Sequence, residues 1–102
     1  MAESPICKRL REARLAAGLS QKKLGIAAGM DEVSASSRMN HYEIGRHQPD
    51  YETLKRIAKI LKLSVAYFYA EADDLAELII EFDRSTKVIR KAFIEQIKNI
   101  KK

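Results

Sequence analysis

The apolar positions of this chain fall into a succession of helical periods. Ile6, Leu10, Ala13 and Ala17 recur at steps of three and four, with Lys8, Arg9, Arg11 and Glu12 on the other faces, the spacing of one buried stripe on an α-helix. Gly18 ends that first helix. Ser20 suits the N-cap of a second, with Leu24 and Ala28 on its buried side and Gly29 as a left-handed stop. At about nine residues this second helix is too short to persist without neighbours. The stretch 30–34 (MDEVS) carries no period.

A third helix is predicted over Ala35–Glu43, with Met39, Tyr42 and Ile44 turned inward and Gly45 as its stop. Pro49 forbids a continuing helix, and Asp50 caps a fourth that carries Leu54, Ile57, Ala58 and Leu61 on one face. Lys55, Arg56, Lys59 and Lys62 lie outside. Ser64 opens a short fifth helix with Val65, Phe68 and Tyr69. Beyond it, Leu75, Leu78, Ile79 and Phe82, then Val88, Ile89, Ala92, Phe93, Ile97 and Ile100, form two amphipathic arms around a break at 83–86. Strand-like alternation is lacking, so the predicted class is all-α: five helices in residues 1–70 and a helical hairpin in residues 71–102.

Length and composition narrow this picture. A chain of 102 residues with 46% apolar and 32% charged residues suits one folded unit with a short appendage, not a disordered segment. The single cysteine, Cys7, excludes an internal disulfide and a clustered thiolate metal site and points to the cytoplasm. The start of the chain lacks the apolar run of a signal peptide, and no stretch approaches a membrane span. The net charge of +5 suits a polyanionic partner, and its distribution is uneven: residues 71–83 hold six acids and no base, residues 84–102 seven bases and one acid. No nucleophile–base set, Gly-rich phosphate loop or carboxylate pair argues for catalysis, and no cofactor is expected.

The specific signal lies in the residues around the second and third helices. Leu19-Ser20-Gln21, Leu24, Ala28-Gly29, Tyr42-Glu43-Ile44-Gly45, Pro49 and TLKRIAKILKLSV over 53–65 resemble the phage repressor and Cro family of helix-turn-helix proteins, the xenobiotic-response-element type. The resemblance covers residues 6–70. It implies a bacterial or phage transcriptional regulator, a repressor, in which the second helix crosses the DNA backbone and the third lies in the major groove of a double-stranded operator. Carried onto this chain, Ser36, Ser37, Arg38, Asn40 and His41 fall at positions that face base edges. Ser20, Gln21 and Arg46 fall at phosphate-contacting positions. Arg14 and Glu43 coincide with a pair that joins the first helix to the third.

Those residue types fit the chemistry. Asn pairs with adenine N6 and N7, Arg with guanine O6 and N7 or a phosphate, Ser with several bases; exposed backbone N–H groups beside Ser20 and Gln21 suit an anion. His41 and His47 stand six apart, the wrong spacing for a helical pair of metal ligands, and no metal is expected. Solvent exposure alone would also account for each polar residue.

The chain departs from the family in the turn before the third helix, which is longer than usual between Met30 and His41. Asp31 and Glu32 there must point away from DNA or be neutralised by a base such as Arg38, and Val33 is expected to fold back over Ile26. Gly25 costs about 1 kcal/mol of helix propensity and allows the third helix a close approach. The hairpin at 71–102 lies outside the resemblance: it either packs on its own domain or pairs two copies into a homodimer, its acidic and basic halves meeting within one hairpin or across two. An antitoxin-like module that binds a partner protein, and DNA secondarily, is the alternative reading of the whole. An enzyme using this fold only to oligomerise is a further one.

Overall fold

The computed structural model describes residues 4–100. Its elements, in order, are α1 (Pro5–Ala16), α2 (Gln21–Ala27), α3 (Ala35–Glu43), α4 (Tyr51–Leu61), a 3-10 helix (Val65–Tyr69), α5 (Asp73–Asp83) and α6 (Lys87–Ile100). The fold is all-helical among the described residues. Local chemistry sets the ends: the side chains of Ser4, Ser20 and Asp50 accept from backbone N–H groups of the first turns of α1, α2 and α4. Gly18, Gly29 and Gly45 take positive φ after α1, α2 and α3, where a side chain would strain the backbone.

One core joins the first five elements. Ile6, Leu10, Leu24, Met39, Leu54, Ile57 and Phe68 are sealed from solvent, and each such side chain is worth about 1.5–3 kcal/mol on burial. Gly25 lets α2 and α3 pack closely, as expected: a Cβ placed there would stand 2.9 Å from the Ala35 Cβ and 3.0 Å from its carbonyl oxygen.

Several faces differ from the sequence reading. The fifth helix is a 3-10 turn that buries Tyr67 and Phe68, with Tyr69 turned outward. Ile44 lies past the end of α3 and is exposed, as is Ala17 past the end of α1. Val33 does not cover Ile26; it is 93% exposed while Ile26 stays partly open, because the Asp31 carboxylate accepts from the Val33 N–H at 3.0 Å and fixes the turn away from α2. Arg9, read as an outer-face residue, is buried. Its Nε donates to the Ala70 carbonyl at 2.8 Å and its Nη2 to that of Glu71 at 3.1 Å, while Nη1 pairs with Glu12 and Asp73. It thereby closes the 3-10 helix and ties α5 to α1.

The hairpin is held at its base only. Ala76 is buried and Ile79 and Ile80 lean on the core, the Asp83 carboxylate accepts from the N–H and hydroxyl of Ser64, and Arg90 donates to the carbonyls of Phe82 and Asp83 at 2.8 Å each. Past Arg90, α6 buries no residue. The described chain is accordingly elongated, 53 × 32 × 22 Å with a radius of gyration of 15.3 Å, against about 13 Å for a compact chain of about 100 residues.

Candidate nucleic-acid interface

The helix that sequence reasoning singles out runs over Ala35–Glu43. One side is fixed in the protein: Ala35 and Met39 are fully buried and Tyr42 nearly so. The other carries Ser36, Ser37 and Asn40, all exposed, in the i, i+1, i+4 placement that aligns them on one face. Arg38, also exposed, donates its Nη2 to the Tyr42 hydroxyl one turn on, at 3.3 Å. His41 is half-buried and meets the His47 ring edge to face, centroids 5.3 Å apart.

The far end of α3 is locked to α1. Arg14 Nε and Nη2 donate to Glu43 Oε2 and Oε1 at 2.5 and 3.0 Å, and Nη1 donates to the Leu19 carbonyl at 2.9 Å. Both residues are 8% exposed. The two-pronged geometry suits a guanidinium and a carboxylate, and within such a buried setting the loss of either partner strands the other. Arg14 and Glu43 therefore form the structural pair expected of them.

Gln21 joins this network. Its Nε2 donates to Glu43 Oε1 and to Asn40 Oδ1, both at 3.1 Å, so a residue assigned to phosphate also orients a residue assigned to bases. Asn40 keeps its amide N–H groups and a second lone pair on Oδ1, enough to address an adenine edge. Ser20 is engaged as a cap, its Oγ accepting from the Lys23 N–H at 3.0 Å. Arg46 is exposed in the loop after Gly45, its backbone N–H donating to the His41 carbonyl at 2.9 Å. Among the described residues it forms no ion pair that would compete for an anion.

Of the two acids in the turn before α3, Glu32 is paired with a base, and that base is Lys22 rather than Arg38, the example expected. Arg38 is occupied by Tyr42, and Glu32 pairs with Lys22 of α2 at 3.8 Å, while Asp31 spends its carboxylate on its own turn. Sequence reasoning also misses Arg56. Its Nε donates to the Ala28 carbonyl at the end of α2 at 2.9 Å, and its Nη2 to Thr53 Oγ1 at 3.3 Å, bracing the pair α2–α3 from behind. The only signal for it in the sequence is a basic residue facing outward from the fourth helix beside the glycine stop.

Two comparisons with known proteins match this chain. A family model described as a helix-turn-helix domain matches residues 8–67. The solved structure of the transcriptional regulator BswR superposes with a TM-score of 0.87 at 44% identity, over 92% of this chain and 93% of that one. No curated protein sequence matches. A model that spans more than half of the chain, and a relative of this identity aligned along nearly its whole length, leave one conclusion: the chain belongs to the helix-turn-helix domain family.

Proposed function

We propose that this chain is a sequence-specific double-stranded DNA-binding transcriptional regulator of the phage repressor and Cro type, a repressor that works without a catalytic step. The observation that carries the reading is α3 itself. Its rear is clamped by Met39, Tyr42 and the Arg14–Glu43 pair, while Ser36, Ser37 and Asn40 stand exposed in a row. A rigid helix with a polar exposed face is what the major groove admits and reads.

In this reading Asn40 addresses an adenine, with its Oδ1 steadied by Gln21. Ser36 and Ser37 make the shorter contacts near the N-terminus of α3, and Arg38 and His41 flank them. Arg46 neutralises a phosphate beyond the helix. Gln21 and Ser20 approach the backbone at the start of α2, Ser20 through its main chain because its hydroxyl is committed to the cap. Phosphate contacts set position and register, base contacts set sequence. The operator is two-fold and is met by a homodimer, with half-sites about 34 Å apart. A cytoplasmic address goes with this role; no described helix is long and apolar enough to cross a membrane.

Selection of bound sequences from random duplex tests the reading. The native chain enriches a two-fold motif, and Asn40→Ala relaxes the preference at one position per half-site. An unchanged motif for Asn40→Ala removes Asn40 from the reading set, and no enriched motif with the native chain defeats the reading altogether.

A further inference from the structure

We infer that the groove where α1, the 3-10 helix and α5 meet is a binding site for a small aliphatic amine, held as its ammonium cation. The inference goes beyond the regulator reading and does not depend on it. Two hollows, of about 470 and 270 Å³, open on this groove and share the side chains of Glu12, Tyr67, Ile80 and Arg84. The larger alone falls within the range of about 300–1,000 Å³ usual for small-molecule sites.

Tyr67 is the residue that points to a ligand. It is 3% exposed and its ring packs edge to face on Phe68, yet its hydroxyl has no hydrogen-bond partner among the described residues. A buried tyrosine hydroxyl ordinarily finds one. No side-chain oxygen sealed from solvent is left unpartnered among those residues, so the hydroxyl is the part of Tyr67 that reaches the groove. Burial, with the Glu12 carboxylate second, pushes the phenol above its ordinary range. It therefore stays protonated at neutral pH and offers its lone pairs to an N–H donor.

Charge selects a cation. The larger hollow is lined by Glu12, Asp73, Glu77 and Glu81 against Arg9 and Arg84. Asp73 is taken up by Lys8 and Arg9, and Arg9 spends its donors on the Ala70 and Glu71 carbonyls, Glu12 and Asp73. Glu77 and Glu81 keep no ion-pair partner among the described residues, and they stand four apart on α5, a spacing at which like charges repel. A metal ion does not fit, because no group of three or more His, Cys, Asp or Glu among the described residues is placed to hold one. An ammonium group on an organic body does: its three N–H donors meet carboxylates and the phenol oxygen. The smaller hollow adds Ala13, Leu61 and Leu63 beside Ile80, an apolar lining for methylene groups. Arg84, which borders both hollows and has no ion-pair partner among the described residues, suits a carboxylate on the same ligand. The amine thus has two sources, a simple diamine or a basic amino acid.

Isothermal titration calorimetry of the full chain with 1,5-diaminopentane and with lysine, at constant ionic strength, tests this. Saturable binding of at least one of them is expected, with a raised thermal midpoint, and magnesium chloride at matched ionic strength gives neither effect. Tyr67→Phe keeps the buried ring and removes only the hydroxyl; it weakens binding about tenfold, as for a hydrogen bond to a charged group. Glu77→Gln and Glu81→Gln, at exposed positions where the fold is indifferent to the change, each weaken binding several-fold. Lysine bound more tightly than the diamine, with Arg84→Ala removing the difference, identifies an amino acid as the source, and the diamine bound as tightly or better identifies a simple amine. Saturation by neither, an effect that magnesium reproduces, or binding indifferent to Tyr67→Phe and Glu81→Gln would each overturn the inference. None of these outcomes bears on the selection of DNA sequence that tests the proposed function.

Discussion

α3 and α6 are both amphipathic helices, and the chain treats them oppositely. α3 has nine residues and buries Ala35, Met39, Tyr42 and Glu43; α6 has fourteen and buries none. The difference is one of surroundings. α3 is gripped by α1, α2 and an ion pair at its end, whereas among the described residues the side-chain hydrogen bonds that tie α6 to α5 are those of Arg90, in its first turn. Periodicity states that a helix has an apolar face and is silent on what covers that face. In α3 the exposed polar side is the functional candidate, whereas in α6 apolar side chains stand exposed.

The sharpest way to break this contrast is to loosen α3. Arg14→Ala leaves Glu43 buried without its guanidinium, and a loss of about 3–5 kcal/mol in urea unfolding is expected. A loss under about 1 kcal/mol, the range of an exposed pair, would mean that α3 is held by apolar packing alone. Next in size is the exposed side of the same helix. Asn40→Ala should weaken specific DNA binding by about 1–3 kcal/mol while leaving unfolding nearly untouched, so that stability and recognition separate on opposite faces of one helix.

Gly25→Ala tests the grip from α2. The gain of about 1 kcal/mol in helix propensity is opposed by overpacking of about 1–3 kcal/mol, because the new methyl meets Ala35 at 2.9 Å. A destabilised variant is expected in thermal unfolding, and a stabilised one would show that α3 can retreat. Val33→Asp is expected to change stability by less than about 0.5 kcal/mol, since Val33 covers nothing.

The smallest effect concerns pH. Hydrogen bonds from Thr53 to Asp50, and from Lys8 and Arg9 to Asp73, hold both carboxyls below the usual range. A lowered folded-state value makes the contribution fully present above the ordinary value of about 3.9 and lost as pH falls through the folded one. Acid titration of Asp50→Asn against the native chain should therefore converge at low pH. Parallel curves would remove Asp50 from the acid response.

Much of the fold and of the candidate site is legible in the sequence. The limits of α3, the stops at Gly18, Gly29 and Gly45, the caps Ser20 and Asp50 and the Arg14–Glu43 pair all follow from local rules or from the repressor resemblance, and the chain realises them. The features that escape such rules are decided between elements. Arg9 reads as one more basic residue on a helix flank, and only the approach of the 3-10 helix turns it inward to the Ala70 carbonyl. Val33 and Ile44 are apolar residues beside a helix that the turn geometry directs outward. The Gln21–Asn40 bond joins residues nineteen apart, a distance no periodicity argument spans. Tyr67 is likewise invisible as a core residue, although burial in the 3-10 turn pushes its phenol above the ordinary range.

Whether the exposed face of α3 reads DNA is decided by the affinity of the full chain for its selected duplex and for a scrambled one across a salt series. A linear fall of log K with log salt is expected for both duplexes, with about 10³-fold or more tighter binding to the selected sequence. Arg46→Ala should flatten the slope, while Asn40→Ala should erode the preference. Equal affinity for the two duplexes, with a slope that Arg46→Ala leaves unchanged, would contradict a reading role for α3.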